Sequence, residues 1–149
     1  MLTFQLEPAD TWERDCPALL VEHHRELGLD QDLEVAVNFE KIRMLEAAGM
    51  WLTFTARDDG KLVGYVAALF AKHLHYSTSG EMLIVDMYYL APEFRTGAGA
   101  KLLAFVEQTA RAKNAIKLYL SCKVHRDHTK LFLRMGYRLS DFAFTKRLG

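Results

Sequence analysis

A basic, glycine-bearing turn is the segment of this sequence whose residue types and spacing point most clearly to chemistry. Residues 95–101 read Arg-Thr-Gly-Ala-Gly-Ala-Lys and follow an apolar run that ends in a proline. The first amides of a helix have no partners inside it, and the helix dipole favours negative charge beside them. Gly97 and Gly99 remove side chains that would keep a phosphate from the backbone, and Arg95 adds a permanent cation. The turn is therefore predicted to bind phosphate, rather than only to reverse the chain.

Two common phosphate-binding loops are excluded. A Walker A loop needs Gly-Lys followed by Ser or Thr, which this turn lacks. A Rossmann fingerprint needs a different glycine spacing and a following βαβ unit, and neither is found here.

Asp86 is the candidate proton acceptor beside this turn. It interrupts the apolar run that begins at Met82, and an unpaired charge inside a buried strand is costly. Strand alternation is expected to place Asp86 on one face with Tyr88 and Leu90. A buried aspartate paired with an arginine or with backbone amides is the alternative interpretation.

The histidines and cysteines suggest no metal centre. His125 with His128, and His73 with His75, have spacings that bring two imidazoles to one side, but no cysteine or carboxylate cluster completes either pair. Cys122 ends an apolar strand and is interpreted as an inert core thiol. Two cysteines are also too few for a disulfide framework.

Length and composition limit the class of protein to which this chain can belong. The chain has 149 residues, 50% of them hydrophobic, with 19 basic and 19 acidic side chains. Such a chain is expected to fold as one domain over residues 1–149, and it is too apolar to be disordered. It has no basic excess, which argues against a nucleic-acid partner, and no apolar run of about 20 residues for a membrane. With no secretory signal visible, a cytoplasmic protein is expected.

The hydrophobic periodicity predicts alternating helices and strands. His23 falls in the first helix, where it is interpreted as a solvent-facing or helix-packing residue. The order β-α-α-β-β-β-α-β-α-β predicts an α/β (α+β) fold with a mixed sheet and a parallel crossover in the second half. The predicted elements are a strand over Leu2–Leu6, helices over Asp10–Leu27 and Asn38–Ala48, a hairpin of Trp51–Ala56 and Leu62–Phe70, a strand over Met82–Leu90, a helix over Thr96–Lys113, a strand over Ile116–Cys122, a helix over Asp127–Met135, and a final strand or hairpin over Tyr137–Lys146.

Two segments resemble the GNAT superfamily of acyl-CoA-dependent N-acyltransferases. Residues 88–103 are similar to the acetyl-CoA motif of that family, and residues 131–137, which end in Gly-Tyr, are similar to its C-terminal hallmark. The resemblance implies a mixed central sheet of about six to seven strands flanked by about four helices. The combination of His73-Leu-His-Tyr with His128-Thr-Lys-Leu-Phe resembles a subgroup common in bacteriophage genomes.

The resemblance implies a cofactor site for acetyl-CoA. Backbone at the end of the fourth strand would pair with the pantetheine arm and polarise the acetyl carbonyl, and the turn would hold the pyrophosphate. Alignment on the Leu102-Leu103 pair makes Gly97 and Gly99 the functional glycines, whereas alignment on Arg95 puts Ala98 in the first glycine position. The implied cofactor-binding residues are Tyr89, Leu90, Arg95, Thr96, Gly97, Ala98, Gly99, Ala100, Lys101, His125 and Phe132.

The catalytic residues are expected to be Asp86 and Tyr88. An alkylammonium with a pKa of about 10.4 must lose a proton before its nitrogen attacks a carbonyl, and a positioned base performs that step. Asp86 matches the position where some polyamine-type relatives carry a catalytic glutamate. Phe132 stands where relatives commonly have a tyrosine acid, so Tyr88, Tyr137, His125 or water is left to protonate the leaving thiolate.

The resemblance therefore implies an acetyl-CoA-dependent N-acetyltransferase that transfers the acetyl group directly to a primary amine of a small molecule or peptide, without a metal. One alternative is a non-catalytic acyl-CoA-binding module. Another is a dimeric interaction protein, for which a C-terminal hairpin around Phe142 and Phe144 is the only indication.

Overall fold

A five-stranded sheet in sequential order forms the centre of the computed structural model, which describes residues 1–149. The first four strands are antiparallel to their neighbours, and the fifth pairs parallel to the fourth. This confirms the mixed sheet and the parallel crossover. The strands are β1 (Leu2–Glu7), β2 (Trp51–Asp58), β3 (Lys61–Lys72), β4 (Glu81–Leu90) and β5 (Lys117–Tyr119).

Four α-helices and a short 3-10 turn over Pro92–Phe94 lie between the strands, and a fifth α-helix follows the last strand. The expected helix over Asp10–Leu27 is wrong as a single element, because it breaks into two at Cys16-Pro17, where proline removes a backbone donor. The predicted cap Asn38 is confirmed, since its side chain accepts a hydrogen bond from the Lys41 amide at 2.9 Å. The helices are α1 (Ala9–Asp15), α2 (Pro17–Leu27), α3 (Phe39–Ala47), α4 (Arg95–Ala112) and α5 (Thr129–Arg134).

Two apolar layers cover the sheet. One face packs against α4 through residues that include Phe54, Leu83 and Val106. The other face packs against α1, α2 and α3 around the fully buried side chains of Trp12 and Tyr65. Two helices of interest, α2 and α4, thus lie on opposite faces of the sheet and approach each other only at its β4 edge.

The number of strands and helices differs from the expectation of six to seven strands and about four helices. The expected final strand or hairpin over Tyr137–Lys146 is wrong, because this segment forms no ladder and leaves Phe142 and Phe144 exposed. β5 is only three residues long, so it offers little edge for another strand. The tail is held instead by an ion pair of Arg147 with Asp32 at 2.7 Å.

A β-bulge interrupts the pairing of β3 with β4. Ala67 pairs with Met87 and Ala68 with Val85, so Asp86 is an extra residue with no partner. A bulge reverses the alternation of side chains beyond it and bends the strand. The expected common face of Asp86 with Tyr88 and Leu90 is therefore wrong.

β4 and β5 separate shortly after they pair. Their ladder ends where Ile84 meets Tyr119, whereas β4 continues to Leu90. Residues 85–90 therefore have no strand beside them on the β5 side. The divergence opens the fold at the point where the bulge, the start of α4 and the end of α2 come together.

Candidate active site

The separation of β4 from β5 forms the first of two clefts, a cavity of about 610 Å³ that we call the turn cleft. Its walls are the end of β4, the start of α4 and α5 with the loop before it. A small-molecule site is usually a concave cavity of this size. The expected site residues that line it are Tyr88, Tyr89, Leu90, Arg95, Gly97, Gly99, Ala100, His125 and Phe132.

The glycines of the turn leave open space above the helix start. Thr96 and Gly97 have non-helical backbone angles, and Gly97 has a φ of +81°, which a side chain would strain. A Cβ atom built on Gly97 or on Gly99 would meet no atom within 4 Å. The packing of the protein does not require glycine at position 99, so this position is open to close approach by a ligand.

Three expected cofactor residues are not among the side chains that line the turn cleft. Ala98 is buried against the core that α4 forms with the sheet, so it faces away from the cleft. Thr96 and Lys101 are exposed but do not line the cavity. The geometry therefore favours Gly97 and Gly99, rather than Ala98, as the pair that borders a ligand.

Arg95 is held at the mouth of the turn cleft by Glu26 of α2. Its two terminal nitrogens donate to the two carboxylate oxygens of Glu26 at 2.6 and 2.7 Å, and its Nε donates to the Leu90 carbonyl at 2.8 Å. Tyr89 donates its hydroxyl to Glu26 at 2.9 Å, and Arg126 lies 3.5 Å from the same carboxylate. The bond from Arg95 is the main cause that lowers the pKa of Glu26 to about 2. Glu26 therefore stays ionised as an internal anion beside the turn.

Nothing in the sequence indicated Glu26. It precedes Arg95 by 69 residues, and an acidic residue near the end of an amphipathic helix is ordinary. Only the tertiary packing of α2 against the β4 edge brings the two charges together.

A second cavity of about 430 Å³, the loop cleft, lies between α2, the segment 28–37 and the bulge of β4. It carries charges of both signs, including Asp86, Lys123 and Arg126. The two clefts share part of their walls. The residues that line both cavities are Leu27, Tyr88, Arg126 and His128.

Asp86 lies in the loop cleft with its side chain exposed, so the expected burial of this carboxylate is wrong. The bulge turns it out of the ladder, and it forms no ion pair or hydrogen bond within the chain. The alternative interpretation, a buried aspartate paired with an arginine, is also wrong. A free carboxylate at the wall of a cleft can accept a proton from a bound molecule.

Tyr88 lies at the junction of the two clefts. Its ring contacts His128 and Phe132 edge-on, with centroids 6.3 and 6.5 Å apart. Burial raises the pKa of the Tyr88 phenol, which therefore keeps its proton and can act as a hydrogen-bond donor. Tyr137, another candidate acid, lines neither cleft, whereas His125 is exposed in the turn cleft.

Two residues have surroundings that differ from the sequence interpretation. Cys122 is not a core thiol, because it lies beyond the end of β5 and lines the loop cleft. His23 bonds to the buried Tyr65 and also lines the same cleft, so it packs α2 against the sheet, as one interpretation had it, and is not solvent-facing. Its role was missed because the partner, Tyr65, follows 42 residues later on β3.

Neither a metal centre nor a membrane span is found in the structure. No group of three or more His, Cys, Asp or Glu side chains is arranged to hold a metal ion. None of the helices combines the length and the apolar character needed to cross a membrane.

Comparison with known proteins gives one family match and a partial match to a characterised relative. Residues 10–137 match the model of the Acetyltransferase (GNAT) family. Over 92 residues the chain is 36% identical to the aminoalkylphosphonate N-acetyltransferase of Salmonella typhimurium. This alignment covers 60% of this chain and 58% of that protein. The match thus spans less than two thirds of the relative's length.

Solved structures share the fold at low identity. A GCN5-related N-acetyltransferase from Ralstonia eutropha aligns over 100% of both chains with a TM-score of 0.77 and 16% identity. An acetyltransferase from Clostridium acetobutylicum, solved with acetyl-CoA, aligns over 99% of this chain and 97% of its own with a TM-score of 0.68 and 15% identity. None of these comparisons tests the likeness to a bacteriophage subgroup, which stays a prediction.

Proposed function

Because the chain belongs to the GNAT acetyltransferase family, we propose that it is an enzyme that transfers an acetyl group from acetyl-CoA directly to a primary amine. The observation that carries this proposal is the meeting of two clefts at β4, one bordered by the glycine-bearing turn and one lined by an unpaired carboxylate. Such an arrangement suits a reaction between two substrates that enter from different sides.

The residues of the turn cleft fit acetyl-CoA. The open space over Gly97 and Gly99 gives a diphosphate access to the first amides of α4, and Arg95 supplies a cation there. Residues 85–90 of β4 have no strand on the β5 side, so backbone groups there are open to an amide-bearing arm, apart from the Leu90 carbonyl, which accepts a bond from Arg95. When bound, acetyl-CoA supplies the activated acetyl group and its thiol as the leaving group.

The residues of the loop cleft fit an amine acceptor. Asp86 is exposed and unpaired, so we assign to it the removal of the ammonium proton, directly or through water. Tyr88, which lines both clefts and keeps its proton, is assigned the hydrogen bond to the departing sulfur. Asp86 and Tyr88 line the loop cleft together, and Tyr88 also lines the turn cleft.

The acceptor is proposed to be a small amine that carries an anionic group. The relative from Salmonella typhimurium is named for aminoalkylphosphonates, and Lys123 and Arg126 give the loop cleft two cations. An anionic end of the acceptor would bind these cations while its amine lies at Asp86. The cavity of about 430 Å³ suits a molecule of this kind.

The test is the release of coenzyme A thiol when the protein is incubated with acetyl-CoA and a panel of primary amines. We expect thiol release that depends on both the protein and an amine. Binding of acetyl-CoA without turnover of any amine would instead support a non-catalytic binding module, an alternative motivated by Phe132. Absence of coenzyme A affinity would favour the interaction protein, for which Phe142 and Phe144 are exposed. A single domain and a cytoplasmic location stay predictions, and a homodimer stays open.

A further inference from the structure

His23 of α2 forms a hydrogen bond with a buried tyrosine beneath the loop cleft. Its Nδ1 lies 2.6 Å from the hydroxyl oxygen of Tyr65 on β3. Its ring also stacks on Tyr89, with centroids 4.9 Å apart and an angle of 14° between the planes. Two aromatic side chains from neighbouring strands therefore fix the orientation of this imidazole.

The bond between His23 and Tyr65 fixes the position of the imidazole proton. Tyr65 is fully buried, and His23 is the only partner of its hydroxyl. A buried hydroxyl donor without an acceptor is unfavourable, so Tyr65 donates to Nδ1. Burial raises the pKa of Tyr65 and lowers the pKa of His23 to about 4, so both side chains are neutral near pH 7. The proton of the imidazole is therefore on Nε2.

The Nε2–H group is available to a ligand. It lies on the opposite edge of the ring from Nδ1 and is therefore directed away from Tyr65. It forms no hydrogen bond within the chain, and His23 lines the loop cleft together with Asp86. A neutral N–H donor does not take a proton from an ammonium group, but it binds an oxygen acceptor.

Cations accompany this donor. Lys123 lies close enough to His23 that its charge contributes to the lowered pKa of the imidazole, and Arg126 lines the same cleft. Three carboxylates, Asp30, Glu34 and Asp86, line the same cleft, and Asp30 lies 3.9 Å from Arg147. Arg126 lies 3.5 Å from Glu26, outside this cleft, so Lys123 is the cation without an ion pair. An oxyanion is the ligand that accepts hydrogen bonds from a neutral imidazole N–H and from two cations together.

We propose that His23, held in its Nε2–H tautomer by Tyr65, determines acceptor specificity by donating a hydrogen bond to an anionic oxygen group of the amine substrate. This inference rests on the proposed acetyltransferase function. His23 contacts the substrate, whereas Tyr65 acts only through His23 and is a positioning residue. The acceptor class is an amine joined by a short chain to a phosphonate, phosphate or carboxylate.

The kinetic test compares three acceptors of similar length: 2-aminoethylphosphonate, β-alanine and propylamine. His23→Leu should raise KM about 10- to 100-fold for 2-aminoethylphosphonate, for β-alanine or for both, depending on which anion His23 binds. The variant should leave KM for propylamine and for acetyl-CoA unchanged. His23→Gln, which keeps an N–H at the end of the side chain, should restore part of the loss. The relative effects on phosphonate and carboxylate distinguish the two anions. An equal rise in KM for all three acceptors would overturn the proposal.

A second test does not depend on activity. Nitrogen-15 NMR of the wild-type imidazole should show the proton of His23 on Nε2 between pH 6 and 8, and Tyr65→Phe should abolish this preference. Addition of methylphosphonate or acetate should shift the Nε2 resonance. A proton on Nδ1, or an unchanged Nε2 resonance with both anions, would overturn the proposal even if the protein acetylates amines. If no amine is acetylated, the proposed function fails, while the anion titration still decides the role of His23.

Discussion

The two halves of the sheet differ in where their charged side chains lie and in whether all of them are paired. In the half made by β1, β2 and β3, Arg57 is buried, and Glu7 and Asp15 neutralise it through bonds of 2.8 to 2.9 Å. In the half made by β4 and β5, Arg95 is partly exposed at a cleft, and Asp86 has no partner at all. Both halves contain an arginine paired with a carboxylate, but only in the second does the pair of Arg95 and Glu26 border a cleft, and only there is a cleft carboxylate, Asp86, without a partner.

The difference has its origin in strand pairing. β2 is paired on both sides along its length, so the polar groups beside it must be satisfied within the protein. β4 loses its neighbour after Ile84 and contains a bulge, so its backbone and side chains are free to bind other molecules. Charge in the first half is therefore satisfied within the protein, whereas charge in the second half borders the clefts that we propose bind the two substrates.

The largest effect is expected in the half made by β1, β2 and β3. Arg57→Ala leaves the carboxylate of Glu7 without its cation, while Asp15 keeps its bond to Arg14, and should lower the free energy of unfolding by about 3–5 kcal/mol. Urea denaturation measures this loss. Arg25→Ala, which breaks an exposed pair with Glu22, is the matched control and should cost less than about 1 kcal/mol. Equal losses in the two variants would contradict the distinction between the halves.

In the half made by β4 and β5, Asp86→Asn should lower kcat by about 100-fold because the amide cannot accept the ammonium proton. Its stability should stay within about 0.5 kcal/mol of the wild type, since Asp86 is exposed and has no partner to lose. Initial rates at saturating acetyl-CoA and thermal denaturation measure the two effects. A large loss of stability, or an unchanged kcat, would exclude Asp86 as the base.

Substitutions of Arg95 and of Glu26 should change the affinity for coenzyme A in opposite directions. Arg95→Ala removes a cation from the turn and should weaken coenzyme A binding by about 10-fold. Glu26→Gln removes an anion that competes for Arg95 and should strengthen binding by about 2- to 5-fold, chiefly at low salt. Calorimetry at two salt concentrations measures both. Weaker binding in both variants would mean that Glu26 positions Arg95 for the ligand instead of competing with it.

The last prediction is a pH dependence of stability at His23. Its pKa is about 4 in the folded protein and about 6.5 when unfolded, so the unfolded chain binds more protons between these values. Stability from this residue is therefore complete above about pH 6.5 and falls as the pH decreases toward 4. Urea denaturation at pH 7 and pH 5 should show a smaller decline for His23→Gln than for the wild type. An equal decline would assign the pH dependence to other groups.

Local signals in the sequence predicted the parts of the fold that local interactions determine. The hairpin turn over residues 58–61 is confirmed, with Asp59 and Gly60 at positive φ, because Asp-Gly suits the tight turn between twisted strands. The helix cap at Asn38 is confirmed for the same kind of reason. The glycine-bearing turn before α4 also lies where it was expected.

The features that were missed depend on contacts between distant segments. The bulge at Asp86 results from the register of β3 against β4, which the composition of β4 alone does not specify. Glu26 and His23 gain their roles only because α2 packs over Tyr89 and Tyr65. The segment 137–146 alternates as a strand does, but the three-residue β5 offers it little edge to pair with.

The central claim is that the turn cleft binds acetyl-CoA over the start of α4, and calorimetric titration of Gly99→Leu beside the wild type tests it most directly. A Cβ atom at Gly99 would meet no atom within 4 Å, and the substitution replaces a glycine in a helix, so the variant should fold with unchanged or higher stability. We expect the wild type to bind one acetyl-CoA and Gly99→Leu to lose measurable binding. Equal binding by the two proteins, or none by the wild type, would contradict the account.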